Sequence, residues 1–261
     1  MNFQIPFLPE RAAKPRQKGL TMMMDKGLSL NEAENFVASS ADFCDLIKFG
    51  FGTAVICKDL EAKIKLYKKA GLRPYFGGTL FEAFIVRGMF DEYQKLIDKY
   101  KLEVVEVSDG SMELNHEEKL KYISILSNQV TVLSEVGSKQ SGIVIPMEKW
   151  ISMMQSELQA GAWKVIAEAR ESGNIGIYNS DGSANTALID DIVSEVGAEK
   201  VLWEAPNKTQ QVWFIKLLGA DVNLGNIASN EVVPLETLRL GLRGDTFFEY
   251  LPEKLKEKKQ K

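Results

Sequence analysis

Eight times along the chain a short apolar strand runs into charged residues or glycine, and a helical pattern follows each run. The strongest instances are GLTMMMDKG (19–27), DLIKFGFGT (45–53), VVEVSDGS (104–111), VTVLSEVGSK (130–139), WKVIAEAR (163–170), VLWEAPNK (201–208) and VNLGNIA (222–228), with RPYFGG (73–78) as the shorter third member of the series. Strands whose polar residues gather at one end, and do not alternate, are buried on both faces. Eight of them separated by helices predict an α/β fold, a parallel eight-stranded (β/α)8 barrel with outer helices. In that fold the C-terminal strand ends meet at one cavity, so the charges found there are the inventory of the active site.

Length supports a single barrel. A chain of 261 residues, 45% hydrophobic, is of barrel size and is read as one domain over residues 18–251, with an N-terminal arm at 1–17 and a charged C-terminal tail at 252–261. Pro6, Pro9 and Pro15 suit an arm laid over the barrel bottom, and KLKEKKQK (254–261) reads as a solvated charge run. The net charge of −4 argues against nucleic acid or an anionic membrane as partner. The start of the chain lacks a signal-peptide pattern and no apolar run of about eighteen residues appears, so a cytoplasmic protein is expected. Cys44 and Cys57 have neither metal-site nor disulfide spacing and are expected to be reduced packing residues.

Apolar residues Leu60, Ile64 and Tyr67 predict a helix over 59–70 that Gly71 stops, and Ser29 with Glu32 and Asn115 with Glu118 predict capping boxes. One connection is long: ESGNIGIYNSDGSANT (171–186), after the sixth strand, is either a lid over the site or a plain irregular insertion. Acids fall at strand ends at Asp25, Glu106, Asp109, Glu135, Glu168 and Glu204, and cations at Lys26, Lys48, Lys139, Arg170 and Lys208. Carboxylates beside ammonium and guanidinium groups suit a hard divalent cation together with an anionic substrate. The sole histidine, His116, falls at a helix start and is read as a capping-turn residue, which leaves acid–base work to lysine or carboxylate. The glycine turn GGT (77–79) offers backbone N–H groups to an oxyanion. In ETLRLGLRGDT (236–246), Arg239 and Arg243 are four apart and either grip a phosphate or, through Asp245, close the barrel with a salt bridge.

Taken in order, DKG (25–27), KFGFGT (48–53), GGTLFE (77–82), EVSDGS (106–111), EVGSK (135–139), EARESG (168–173), EAPNKTQQV (204–212), VNLGNIA (222–228) and ETLRLGLRGDTF (236–247) resemble the phosphosulfolactate synthase family. The resemblance runs from about residue 18 to 248 and extends to plant heat-stress-associated proteins of the same fold. It implies a Mg²⁺-dependent cytoplasmic lyase that adds sulfite to phosphoenolpyruvate, giving (2R)-phospho-3-sulfolactate through an aci-carboxylate protonated at C2, a product that leads to coenzyme M or sulfolactate. Its partners would be those small anions, and a homo-oligomer is the expected assembly. On this resemblance Lys139 is the acid, while Glu106, Glu135 and Glu168 are assigned to the metal, and Lys48, Arg170, Asn226, Arg239 and Arg243 to the substrates. Ser138 stands where some relatives have lysine, which removes a second cation. The competing readings are a catalytically silent stress protein on the same barrel and another enolate-forming barrel enzyme.

Overall fold

The computed structural model describes residues 2–138, 145–169 and 172–257. Strands and helices alternate in the order β1 (Thr21–Asp25), α1 (Leu30–Ser40), β2 (Leu46–Phe49), α2 (Leu60–Lys69), β3 (Arg73–Phe76), α3 (Gly78–Ile85), α4 (Phe90–Tyr100), β4 (Val104–Val107) and α5 (His116–Ser127). They continue with β5 (Thr131–Val136), α6 (Met147–Gln159), β6 (Lys164–Ala167), α7 (Thr186–Glu195), β7 (Val201–Glu204), α8 (Lys208–Leu218), β8 (Leu224–Ile227), α9 (Val232–Arg239) and a short α10 (Glu253–Lys256). The strands form one parallel sheet in the order β3-β2-β1-β8-β7-β6-β5-β4. Its two ends, β3 and β4, lie against each other and bring it round into a barrel. Side chains tie this seam: Gly78 N–H donates to Glu106 Oε1 at 2.6 Å, Ser108 Oγ to Glu82 Oε1, and Ser111 N–H to Glu82 Oε2 at 2.9 Å.

Period-two alternation sorts the strand residues into two layers. Met22, Leu46, Tyr75, Val104, Leu133, Ile166 and Leu202 fill the barrel interior. Met23, Ile47, Val105, Val132, Val165, Val201 and Leu224 face the helices and build the larger outer core. Each fully buried aliphatic side chain contributes about 1.5–3 kcal/mol. One step of two along the interior face therefore leads from an apolar plug to the C-terminal rim: Leu46 to Lys48, Val104 to Glu106, Leu133 to Glu135, Ile166 to Glu168 and Leu202 to Glu204.

Local sequence sets the helix ends. Ser29 and Glu32 form the expected reciprocal box, with Ser29 N–H donating to Glu32 Oε2 at 2.8 Å and Glu32 N–H to Ser29 Oγ at 3.3 Å. Asn115 caps α5 through Glu117 N–H at 2.8 Å, while Glu118 accepts from Tyr122 Oη at 3.0 Å in place of the expected return bond. Gly71 ends α2 with a φ of +71°. From the N-terminal arm, Arg11 reaches Glu236, Asp221 and the carbonyls of Gly19 and Ala220, and Arg16 pairs with Asp45 at 3.0 Å, all near the N-terminal strand ends. Among the described residues no helix is long and apolar enough to cross a membrane.

Candidate active site

Lys48 stands at the centre of the rim. Its Nζ lies 2.9 Å from Glu106 Oε1, 3.3 Å from Glu135 Oε2 and 3.3 Å from Glu204 Oε1, and all four side chains are at most 8% exposed. Burial works against the ammonium, but the Glu106, Glu135 and Glu204 carboxylates outweigh it and hold its pKa well above the usual lysine value. Burial is also the largest influence on Glu204. Lys48 and the Ala169 N–H pull its carboxyl down, Glu135 and Glu106 add to the rise, and it ends pushed up to about 7.

Carboxylate oxygens of Glu135, Glu168 and Glu204 all lie within 4.8 Å of one another. They open on a cavity of about 250 Å³ whose wall also includes Met24, Lys48, Phe51, Gly77, Thr79, Ser111, Ala169 and Asn226. The loop after β6 closes one side. Gly176, at φ +76°, passes so near Glu168 that a Cβ there would sit 1.9 Å from the Glu168 carbonyl oxygen. Tyr178 Oη donates to the Glu204 carbonyl at 2.7 Å, and Gln210 Nε2 donates to the Gly173 carbonyl at 2.8 Å. Over its described residues, 172–186, the segment expected as a lid or insertion is thus pinned to β6, β7 and α8.

The expected site residues divide into several groups. Lys48, Glu135, Glu168 and Asn226 line the cavity, while Glu106 pairs with Lys48 and is not part of the wall. Glu106 is taken up by Gly78 N–H and Lys48, and Glu204 takes its place in the close carboxylate trio. The Gly78 N–H therefore serves Glu106, and not the oxyanion expected from GGT. Arg239 requires correction: it is fully buried at the opposite end of the barrel, donating to the carbonyls of Ala220 and Val222 at 2.6 Å each and of Leu20 at 3.1 Å. The helical spacing expected to link it to Arg243 does not hold: α9 descends from the rim and ends at Arg239, and Gly241, at φ +68°, turns the chain before Arg243. Arg243 follows α9, half-buried and outside the cavity wall, and the Asp245 expected to pair with it binds Lys208 at 2.9 Å. Lys139 and Arg170 lie outside the described residues.

Two strand-end acids turn outward. Asp25 accepts from Lys63 Nζ at 2.6 Å and Tyr67 Oη at 2.8 Å in the helix layer, and Asp109 accepts from Lys119 Nζ at 2.9 Å. His116 does begin α5, but its Nε2 shares a hydrogen with Ser156 Oγ at 2.8 Å and it is less solvated than a capping turn implies. Sequence reasoning placed Glu204 among the strand-end acids without assigning it to the metal. It passed over Met24, Thr79 and Ser111, and the step of two from the interior plug would have found Met24 and Glu204.

The model of the family described as (2R)-phospho-3-sulfolactate synthase (ComA) matches residues 9–245. The chain belongs to this family. The Phosphosulfolactate synthase of Bacillus subtilis (strain 168) is 41% identical over 244 residues, covering 92% of this chain and 97% of that protein. The Phosphosulfolactate synthase of Methanocaldococcus jannaschii is 44% identical over 237 residues, covering 88% and 94%. As a phosphosulfolactate synthase family member the chain is an enzyme of the lyase class, one that forms carbon–sulfur bonds. The fold has wider company: the 3-keto-L-gulonate-6-phosphate decarboxylase of Vibrio cholerae superposes with a TM-score of 0.54 at 12% identity, covering 90% of this chain and 100% of that one.

Proposed function

We propose that this enzyme adds sulfite to phosphoenolpyruvate to give (2R)-phospho-3-sulfolactate, with Mg²⁺ held by Glu135, Glu168 and Glu204. The observation that carries the reading is the buried trio of carboxylates, two of them paired with Lys48, in a chain of this family. The donor set fits the ion, since Mg²⁺ takes hard oxygen ligands and leaves positions to water and substrate. When bound, the ion stabilises negative charge developing on the substrate carboxylate.

The residues do the rest. The sulfite sulfur lone pair forms a bond to the methylene carbon of phosphoenolpyruvate, and the π electrons move onto the carboxylate as an aci-carboxylate. Lys139 then delivers a proton to C2 from one face, so the reaction is a net addition with no leaving group. Lys48 and Arg170 meet the anionic oxygens of the substrates. Glu106, fixed by Gly78 N–H, keeps the Lys48 ammonium charged and aimed at the cavity. Phe51 and Met24 supply the apolar part of the wall, which limits water around the reacting carbons.

The test is metal dependence with a variant beside it. Chelation should abolish turnover and Mg²⁺ should restore it, while Glu135→Gln should weaken Mg²⁺ binding and turnover together with the barrel still folded by circular dichroism. Full turnover in metal-free buffer would remove the metal from the mechanism.

A further inference from the structure

Strand β8 breaks the alternation that the other strands keep. Leu224 and Ile227 both face the outer core, so the two residues between them share the inner side. The pairing with β1 shows why: Thr21 is opposite Leu224 and Met23 is opposite Ile227, so two steps on β1 match three on β8. This is a β-bulge, which re-aims a side chain next to a site. Gly225 fits its half because a Cβ there would come within 2.8 Å of Met22 Cε. Asn226 takes the other half at φ +57°, a conformation that asparagine tolerates better than most residues.

The bulge puts Asn226 on the cavity wall, and its amide is oriented by a single bond. Nδ2 donates to the Ala169 carbonyl at 3.2 Å, and the Ala169 N–H in turn donates to Glu204 Oε2 at 2.9 Å. Turning the amide over would set two acceptors against each other. Oδ1 is consequently left as a buried acceptor with no hydrogen-bond partner among the described residues. Phosphate, carboxylate and sulfite present acceptors as well, so this oxygen repels them. It suits a cation or a water that a cation polarises.

We infer that Asn226 serves the cation of this site and not its anions: Oδ1 is a neutral oxygen donor to the divalent ion held by Glu135, Glu168 and Glu204, directly or through one bound water. The inference rests on the metal reading of that trio. Asn226 thereby also couples the ends of β6, β7 and β8, since the same amide fixes the backbone that follows Glu168 and binds Glu204.

The experiment titrates the full chain, without substrate, with Mn²⁺ followed by electron paramagnetic resonance and with Mg²⁺ followed by calorimetry. Asn226→Gly keeps the left-handed backbone and removes the amide, and should weaken both ions by roughly 10- to 100-fold with the circular dichroism spectrum unchanged. Asn226→Asp retains an oxygen at the position and should bind the ions more tightly than Asn226→Gly does. Unchanged ion affinity in Asn226→Gly together with a raised KM for sulfite or phosphoenolpyruvate would overturn the inference and make the residue a substrate contact. A native protein that binds neither ion would overturn the metal reading itself, a result distinct from the first. Should Asn226→Gly lose its fold, the comparison of Asn226→Asp with the native protein decides: a loss of ion affinity there contradicts the proposal, and retention supports it.

Discussion

Lys48 occupies the place among three carboxylates that a divalent cation would contest. Removing one partner from a buried charge cluster costs about 3–5 kcal/mol. Lys48→Met should therefore lower the melting temperature of the metal-free protein markedly, and added Mg²⁺ should recover more of the loss than it adds to the native protein, because its competitor for Glu135 and Glu204 is gone. Equal Mg²⁺ stabilisation of both proteins would show that the two cations do not share these ligands. Glu204 supplies the pH dependence. Its carboxyl is raised from 4.5 to about 7, burial being the main cause, so the folded state holds a proton that the unfolded state releases between those values. From this group, metal-free stability falls as pH rises from about 4.5 to 7. The metal must displace the same proton, so Mg²⁺ affinity should fall by up to about tenfold per unit as pH drops below 7, as read by calorimetry at pH 6, 7 and 8. A flat profile would mean that Mg²⁺ binding displaces no proton from Glu204.

At the scale of elements, the loop after β6 and the network behind β5 hold the carboxylates in place. Gly176→Ala would drive a methyl into the Glu168 carbonyl, so the loop must lift from the strand end. Turnover should fall by at least an order of magnitude while the barrel stays folded, and hydrogen exchange should rise across 172–185. Unaltered exchange there would show that the contact is not restrictive. Behind β5 the ladder with β4 ends at Val107 and Ser134, and at the next residue Lys119 Nζ donates to the Glu135 carbonyl at 2.6 Å while pairing with Glu157 at 2.9 Å. The strands and their charged ends were legible because a doubly buried strand leaves only its last residues polar. The facing of Asp25 and Asp109 was not, since a strand end reads the same whether it turns to the cavity or to the helices. Asn226 was legible as a turn residue, but the bulge that aims it depends on the register against β1, which no local pattern encodes.

Across the whole molecule, one end of the barrel carries chemistry and the other carries stability. Arg239, fully buried, satisfies three carbonyls at the N-terminal end, where burial first and Arg11 next push its pKa down to about 9. Arg239→Met should cost several kcal/mol, on the order of 3–5, with the KM for phosphoenolpyruvate of the folded fraction unchanged. A raised KM with full stability would return Arg239 to the phosphate site. Its position was illegible for a plain reason: a spacing of four puts two arginines on one face only if the helix continues, and sequence shows neither that α9 stops at Arg239 nor how far it has run from the rim. The barrel itself, by contrast, was readable from eight repeats of one pattern, and the order of family motifs was readable along the same repeats. The central claim joins that family to the carboxylate trio. It is tested most directly by following product from phosphoenolpyruvate, sulfite and Mg²⁺ in D₂O by nuclear magnetic resonance, with bicarbonate or sulfide in place of sulfite as controls. The account predicts phosphosulfolactate with sulfite alone, deuterium on a single face of C2, and a loss of roughly 10²- to 10⁴-fold in kcat for Lys139→Met. Product without Mg²⁺, or no product from sulfite while another nucleophile reacts, would contradict it.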